Sequence, residues 1–261
     1  MRTTDMVDEL FRGPETELPA GVRLATAKRG GVTVTRVEIT REGLARPRGR
    51  YVTLEMPSVS VLDERDTDVI ETCAAELRAL LPPEGPVLVL GIGNRRVTAD
   101  ALGPRTAQKI LVTMGPQHTL PVRGIRPVAA LAPGVSGDTG LTLRQLAAAM
   151  VDAVRPAALI CVDSLCSAEA ARLGRTIQFS DTGLHPADAR HARHLDAAAL
   201  GVPVIAAGIP TLMDADEGAD LVLTPRALDS VIAHGSALLA GILNRALQPR
   251  LSVAQLCWLT G

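Results

Sequence analysis

The chain has 261 residues, 47% of them hydrophobic, so it is long enough to bury a large core in one α/β domain, with or without a small appendage. Lysine and arginine number 27 against 28 aspartates and glutamates, a balance that disfavours a nucleic-acid-binding surface, which would show a basic excess. The four cysteines form no CxxC pair. They are therefore expected to be reduced and largely buried, with no zinc or other cofactor site.

The N-terminal segment is polar, and residues 12–21 read RGPETELPAG. We expect residues 1–20 to form a poorly ordered arm, and residues 21–261 to form one α/β domain. The first residues lack the features of a secretory signal, and no apolar stretch reaches the roughly 18 residues that span a bilayer. These features predict a soluble, cytoplasmic protein with no membrane partner.

The next segments favour antiparallel strands and a helix. Residues 21–40 alternate apolar and polar side chains around Arg-Gly-Gly, which predicts a β-hairpin, and GRYVTLEM (49–56) predicts a third strand. From Asp66, apolar residues follow helical spacing, with the aspartate at the N-cap position.

From Pro86 the pattern changes to short apolar runs that alternate with helical patterns. The runs are PVLVLGIG (86–93), PVAALAP (127–133), AALICVDSL (157–165) and VPVIAAGIP (202–210). Uninterrupted apolar strands are typical of a parallel sheet covered on both faces. RTIQFSD (175–181) predicts a further strand, and residues 224–247 predict a long closing helix. The fold class predicted is α/β: a doubly wound, mostly parallel sheet flanked by helices, with an N-terminal β-hairpin region.

The first apolar run leads into GIGNRRVTADALGPR (91–105). A dinucleotide-binding loop needs a third glycine where Arg96 stands, and there is no Walker motif, so nucleotide or phosphate binding by Gly91–Asn94 is only an alternative. The loop does supply a carboxylate, Asp100, beyond the carboxyl end of one strand, and Asp163 ends another in the same way. Two such carboxylates at one sheet edge could act as a general acid and base, although each might instead cap the turn after its strand.

Two more polar clusters lie beyond predicted strands. SDTGLHPADARHARH (180–194) contains Asp181 and three histidines, of which His185 is the one expected to face a cleft. Because the histidines have no nearby glutamate or cysteine in a ligand pattern, a metal site there is weakly supported. In GIPTLMDAD (208–216), Thr211 and Asp214 are expected to line the same crevice.

Four long blocks resemble, in order along the chain, the germination protease family of spore-forming bacteria: GIGNRRVTADALGPR (91–105), RPVAALAPGVSGDTG (126–140), DSLCSAEAARLGRTIQFSDTGLHP (163–186) and LGVPVIAAGIPTLMDAD (200–216). The arm RTTDMVDEL and the final helix resemble the family too. The resemblance implies an atypical aspartate endopeptidase that begins the degradation of small acid-soluble spore proteins in the spore compartment during germination. It also implies a sheet similar to that of hydrogenase-maturation peptidases, and a homotetramer. The family's two catalytic aspartates match Asp100 and Asp163.

Further residues are assigned roles from their positions in the sequence. Gly91, Gly93 and Asn94 would shape the loop and offer N–H donors to an oxyanion, and Asp181 and His185 would bind substrate or shape its loop. Family members remove an N-terminal segment by self-cleavage, and the matching junction here is Asp5–Met6, within a very short propeptide. This chain departs from longer members by an abbreviated region between about Asp216 and Leu221. An alternative of the hydrogenase-maturation type would use Asp100, Asp163 and His185 as metal ligands.

Overall fold

The computed structural model describes residues 4–11, 17–63, 65–115, 124–185, 194–214 and 221–260. The strands are β1 Val22–Arg29, β2 Val32–Ile39, β3 Gly49–Glu55, β4 Val87–Gly91, β5 Val128–Leu131, β6 Ala158–Cys166, β7 Thr176–Ser180, β8 Val204–Asp214 and β9 Val222–Leu223. The helices are α1 Thr67–Leu80, α2 Leu102–Ala107, α3 Ser136–Thr139, α4 Leu143–Val154, α5 Ala197–Leu200, α6 Leu228–Leu247 and α7 Val253–Thr260.

The N-terminal strands form an antiparallel meander, as predicted. β1 and β2 pair in the register Val22↔Ile39 to Arg29↔Val32, and Gly30 and Gly31 at the turn both adopt positive φ. β3 then pairs with β2, so the predicted hairpin and third strand are confirmed. Asp66 precedes α1 as its N-cap residue, although its side chain makes no capping hydrogen bond to the helix.

The four apolar runs form the parallel strands β4, β5, β6 and β8. Along β4, Val87 and Val89 pack into one core cluster, whereas Leu88 and Leu90 pack into the cluster on the other face. Since successive side chains of a strand point to opposite faces, a strand covered on both sides must be apolar throughout. This is why these runs could be predicted from the sequence.

The sheet is mixed rather than mostly parallel. Its order is β1-β2-β3-β7-β8-β6-β4-β5, with β9 on β8, and β7 joins the two halves by pairing antiparallel with both β3 and β8. The predicted α/β class is confirmed, but the predominance of parallel pairing is not observed. An apolar run shows that a strand is buried, but it does not specify the direction of the neighbouring strand.

Helix α6 is the core helix of one face. By length and composition it could cross a membrane, contrary to the expectation that no stretch is long and apolar enough. However, 67% of its most apolar 18-residue stretch is buried inside the protein. Its contacts with α1 and α2 place its apolar side chains over the sheet. Burial of this kind is also found in core helices of soluble proteins.

Residues 4–11 are docked, not poorly ordered. A short 3₁₀ helix, Val7–Leu10, lies against the sheet, and Met6 and Val7 are buried. The Arg172 guanidinium binds the Asp8 carboxylate at 2.7 Å, and both side chains are buried. A polar segment is usually solvated, but here the buried Arg172 guanidinium pairs with an acidic side chain of the segment. For this reason the prediction of disorder was wrong for residues 4–11.

Candidate active site

Asp100 and Asp163 come together at the carboxyl ends of two adjacent parallel strands. β4 leads through its loop to Asp100, and Asp163 lies near the end of β6, the partner of β4. Strand order reverses here, because β5 and β6 flank β4 on opposite sides. Open α/β sheets form their crevices at such points. Both aspartates line one cavity of about 520 Å³.

Backbone N–H groups orient the two carboxylates. The N–H of Asn94 donates to Oδ2 of Asp100 at 2.7 Å, and the N–H of Ser164 donates to Oδ1 of Asp163 at 2.8 Å. The Thr211 hydroxyl donates to the carbonyl of Ala99 at 3.0 Å, which ties the Asp100 turn to β8. Each carboxylate is thereby fixed in direction by short contacts to a backbone that the sheet holds in place.

The glycine loop packs directly against the Asp100 turn. Gly93 has φ +125°, and a Cβ built on it would lie 2.0 Å from the Asp100 carbonyl oxygen. A Cβ on Gly91 would lie 2.2 Å from the Gly103 carbonyl oxygen. Neither glycine nor Asn94 lines the cavity, and the N–H of Asn94 is engaged with Asp100. Their positions support the loop-shaping role for these residues.

His185 and Asp181 occupy different places. His185 lines the cavity, and its Nε2 donates to the Thr182 carbonyl at 2.9 Å, while its Nδ1 lies 3.3 Å from Nδ1 of His194. Asp181 lies outside the cavity lining, and its carboxylate accepts from the backbone N–H and from Nε of Arg50, both at 2.7 Å. The third histidine of this cluster, His191, lies outside the described residues.

The metal-dependent alternative would use Asp100, Asp163 and His185 as ligands. Within the described ranges, no three or more His, Cys, Asp or Glu side chains are arranged to hold a metal ion. Asp100, Asp163 and His185 share the cavity without forming such a group. The geometry therefore gives no support to the metal-dependent alternative.

The docked N-terminal segment brings Asp5 into the cavity lining, next to β6. The N–H of Asp5 donates to the Cys166 carbonyl at 2.8 Å, and the N–H of Cys166 donates to Oδ2 of Asp5 at 2.8 Å. The Gln178 side-chain amide donates to the Asp5 carbonyl and accepts from the N–H of Val7, both at 2.8 Å. The backbone on each side of the Asp5–Met6 bond is thus held by the rest of the fold.

The sequence patterns did not indicate several residues that line the cavity. Arg46 is one of several arginines between residues 41 and 50, and no local pattern distinguishes it. Tyr51 and Gln178 lie inside predicted strands, where polar side chains usually face solvent or cap the sheet. Asp214 does line the cavity, as expected, whereas Thr211 does not, because its side chain is buried with its hydroxyl bonded to the Ala99 carbonyl.

The thiol next to the site is not poised as a nucleophile. Burial, together with the nearby carboxylates of Asp5, Asp214 and Glu9, raises the pKa of Cys166 to about 12. With this pKa, the thiol is almost wholly protonated near neutral pH. Only the thiolate is a good nucleophile, so Cys166 is unreactive at that pH. Four aspartates, Asp5, Asp100, Asp163 and Asp214, contribute carboxyl groups to the same lining.

Comparison with known proteins gives one consistent result. A family model described as germination protease matches residues 4–217. The germination protease of Clostridium perfringens strain SM101 is 32% identical, over 84% of this chain and 86% of the relative. That of Caldanaerobacter subterraneus subsp. tengcongensis is 39% identical, over 79% of this chain and 67% of the relative. That of Priestia megaterium is 35% identical, over 82% of this chain and 60% of the relative.

Proposed function

This chain belongs to the germination protease family and is a peptidase, and we propose that it is the endopeptidase that begins the degradation of small acid-soluble spore proteins in the germinating spore. The observation that carries the proposal is the family match over residues 4–217 together with the two aspartates that line one cavity at the sheet edge. The place of action would be the cytoplasm of the spore core.

Asp100 and Asp163 supply the chemistry in this proposal. One carboxylate takes a proton from a water molecule, whose oxygen forms a bond to the scissile carbonyl carbon. The other, protonated, gives its proton to the amide nitrogen as the C–N bond breaks. In this scheme the pair carries one proton, which either aspartate could hold. The backbone N–H groups of Asn94 and Ser164 orient the two carboxylates, which supports this assignment.

The loop residues support this chemistry indirectly. Gly91 and Gly93 let the loop approach the Asp100 turn closely, and Asn94 orients the carboxylate. The Ser164 hydroxyl also lines the cavity, and it is buried without a hydrogen-bond partner among the described residues. It is therefore available to a bound peptide.

Cleavage of a purified spore protein tests the function. Incubation with a small acid-soluble spore protein, followed by mass mapping, should give cuts after an acidic residue and before an apolar one. Asp163→Asn should give none, and Arg23→Gln, a change at an exposed ion pair far from the cavity, should cut normally. An intact substrate after prolonged incubation with wild-type enzyme would refute the proposal.

We propose further that the chain cuts itself between Asp5 and Met6. Asp5 lines the cavity with the two aspartates, which supports this proposal. The residues after the junction are held by the ion pair of Asp8 with Arg172, so both sides of the bond are fixed in the uncut chain. Intact-mass measurement should show a chain that begins at Met6 in wild type and not in Asp163→Asn. A constant mass in an enzyme that already cuts spore proteins would mean that it is active as synthesised.

Three finer features are carried as part of the proposal. The parallel strands β4, β5, β6 and β8 would form a doubly wound core similar to that of hydrogenase-maturation peptidases, and their reversed order around β4 supports this. Residues 1–20 would act as an arm on a single domain that spans residues 21–261. The assembly would be a homotetramer, which light scattering of the purified protein can measure.

A further inference from the structure

We propose that Arg46 and the backbone N–H of Cys166 form a binding subsite for an acidic side chain, the one that immediately precedes the bond to be cut. This inference rests on the proposed peptidase function. It goes further by assigning the residues that select the substrate. The ligand class is a peptide with aspartate or glutamate at that position.

The contacts of Asp5 define the subsite. Its Oδ2 accepts the Cys166 N–H at 2.8 Å, and its Oδ1 lies 3.8 Å from Nη2 of Arg46. The side chains of Arg46 and Asp5 are 11% and 15% exposed, so both charges are largely withdrawn from water. A carboxylate in such a place needs a cation and a donor, and the site provides both.

The backbone contacts around Asp5 are independent of its side chain. Its N–H and its carbonyl are bound by the Cys166 carbonyl and the Gln178 amide, an arrangement that an extended peptide of any sequence could adopt beside β6. Side-chain contacts must therefore supply the selectivity at this position.

The charge of the cavity makes Arg46 decisive. Asp100, Asp163 and Asp214 all contribute carboxyl groups to the lining. Among the described residues that line the cavity, Arg46 is the only lysine or arginine. An incoming acidic side chain would otherwise meet like charges at short range, in a setting where water screens them poorly.

Arg46 stays in place when the arm leaves. Its Nη1 donates to the His185 carbonyl at 2.7 Å, a contact that does not involve the N-terminal segment, whereas Nη2 faces the segment through Thr4 and Asp5. After cleavage and release of residues 1–5, the guanidinium would remain fixed by His185, with its other donor directed at the vacated position.

The test uses two peptides that copy residues 1–10, one with the native Asp5 and one with Asp5→Asn. The variants are Arg46→Gln, Arg46→Lys and the remote exposed control Arg23→Gln. The measurement is the ratio of kcat/KM for the two peptides, which does not depend on how much of the enzyme is active. Wild type and Arg23→Gln should prefer the aspartate peptide by about 10- to 100-fold, the range for a charge-assisted hydrogen bond.

In Arg46→Gln the ratio should fall to about 1–3, mainly through slower cleavage of the aspartate peptide, and Arg46→Lys should be intermediate because lysine keeps the charge without the planar fork. An unchanged ratio in Arg46→Gln would overturn the inference, as would a wild-type enzyme that cleaves both peptides equally. Equal loss on both peptides in both Arg46 variants, with a normal melting temperature, would also overturn it. A wild-type enzyme that cleaves neither these peptides nor a spore protein would instead refute the peptidase function.

Discussion

Replacement of Gly93 by alanine tests whether the glycine loop fixes the position of Asp100. At φ +125° an L-residue is strained by about 1–3 kcal/mol. The added Cβ would lie 2.0 Å from the Asp100 carbonyl oxygen, a backbone atom that cannot rotate away. The loop must therefore move, at a further cost of about 1–3 kcal/mol for overpacking. Because the adjacent Asn94 N–H orients Asp100, the carboxylate moves with the loop.

A displacement of about 1 Å at a catalytic group costs on the order of 10²-fold in rate. We therefore expect kcat/KM on a spore protein to fall by about that factor. The melting temperature should fall by at least about 4 °C, since each kcal/mol corresponds to about 2–4 °C in a chain of this size.

Gly31→Ala is the matched control. Gly31 also has positive φ, +75°, but a Cβ there would meet nothing within 4 Å. This variant should lose only about 1–2 kcal/mol of stability and keep its activity. If Gly93→Ala and Gly31→Ala have the same kcat/KM within about 3-fold, the loop does not position the reacting group.

Three other outcomes are expected. Asp100→Asn and Asp163→Asn should each lower kcat by about 10²–10⁴-fold, with the fold intact by circular dichroism. The double variant should be no slower than either single variant. If a single variant keeps more than about a tenth of the wild-type rate, the replaced residue is structural. Arg172→Met should lower the free energy of unfolding, measured in urea, by about 3–5 kcal/mol, because it leaves buried carboxylates without their cation. Arg23→Gln, at an exposed ion pair, should lower it by less than about 1 kcal/mol. Equal decreases in the two variants would contradict the buried network. Because the pKa of Cys166 is raised to about 12, this thiol should react with iodoacetamide at pH 8 about 10³-fold more slowly in the native protein than in the urea-unfolded protein. Peptide mass mapping follows the reaction, and comparable rates in the two states would contradict the burial of Cys166.

Much of the framework could be read from local patterns. Alternation around Arg-Gly-Gly predicted the hairpin of β1 and β2, and uninterrupted apolar runs predicted β4, β5, β6 and β8. The aspartate pair also followed from the sequence. If two buried strands are parallel and adjacent, residues just past their carboxyl ends share one edge. The roles of Asp100 and Asp163 remain predictions, while their common cavity is established by the structure.

For the helix after the glycine loop, the prediction from local sequence was wrong about its length. The apolar spacing of residues 103–114 predicts a helix, but α2 ends at Ala107. The N–H of Thr113 pairs with the Val128 carbonyl at 3.0 Å, so this part of the chain is drawn into hydrogen bonding with β5. A long-range partner for the backbone thus outweighed the local helical preference.

The sequence by itself determined which segments are buried strands and which carboxylates follow them, since burial on two faces and strand ends both leave a local pattern. Only the tertiary structure decided the antiparallel direction of β7, the docking of residues 4–11 and the placement of Arg46 at the cavity. Arg172 and Asp8 are 164 residues apart, and nothing near either residue shows that it has a buried partner. A charged side chain that is paired in the interior has the same local sequence as one in water. Its place is therefore set by the folded chain as a whole.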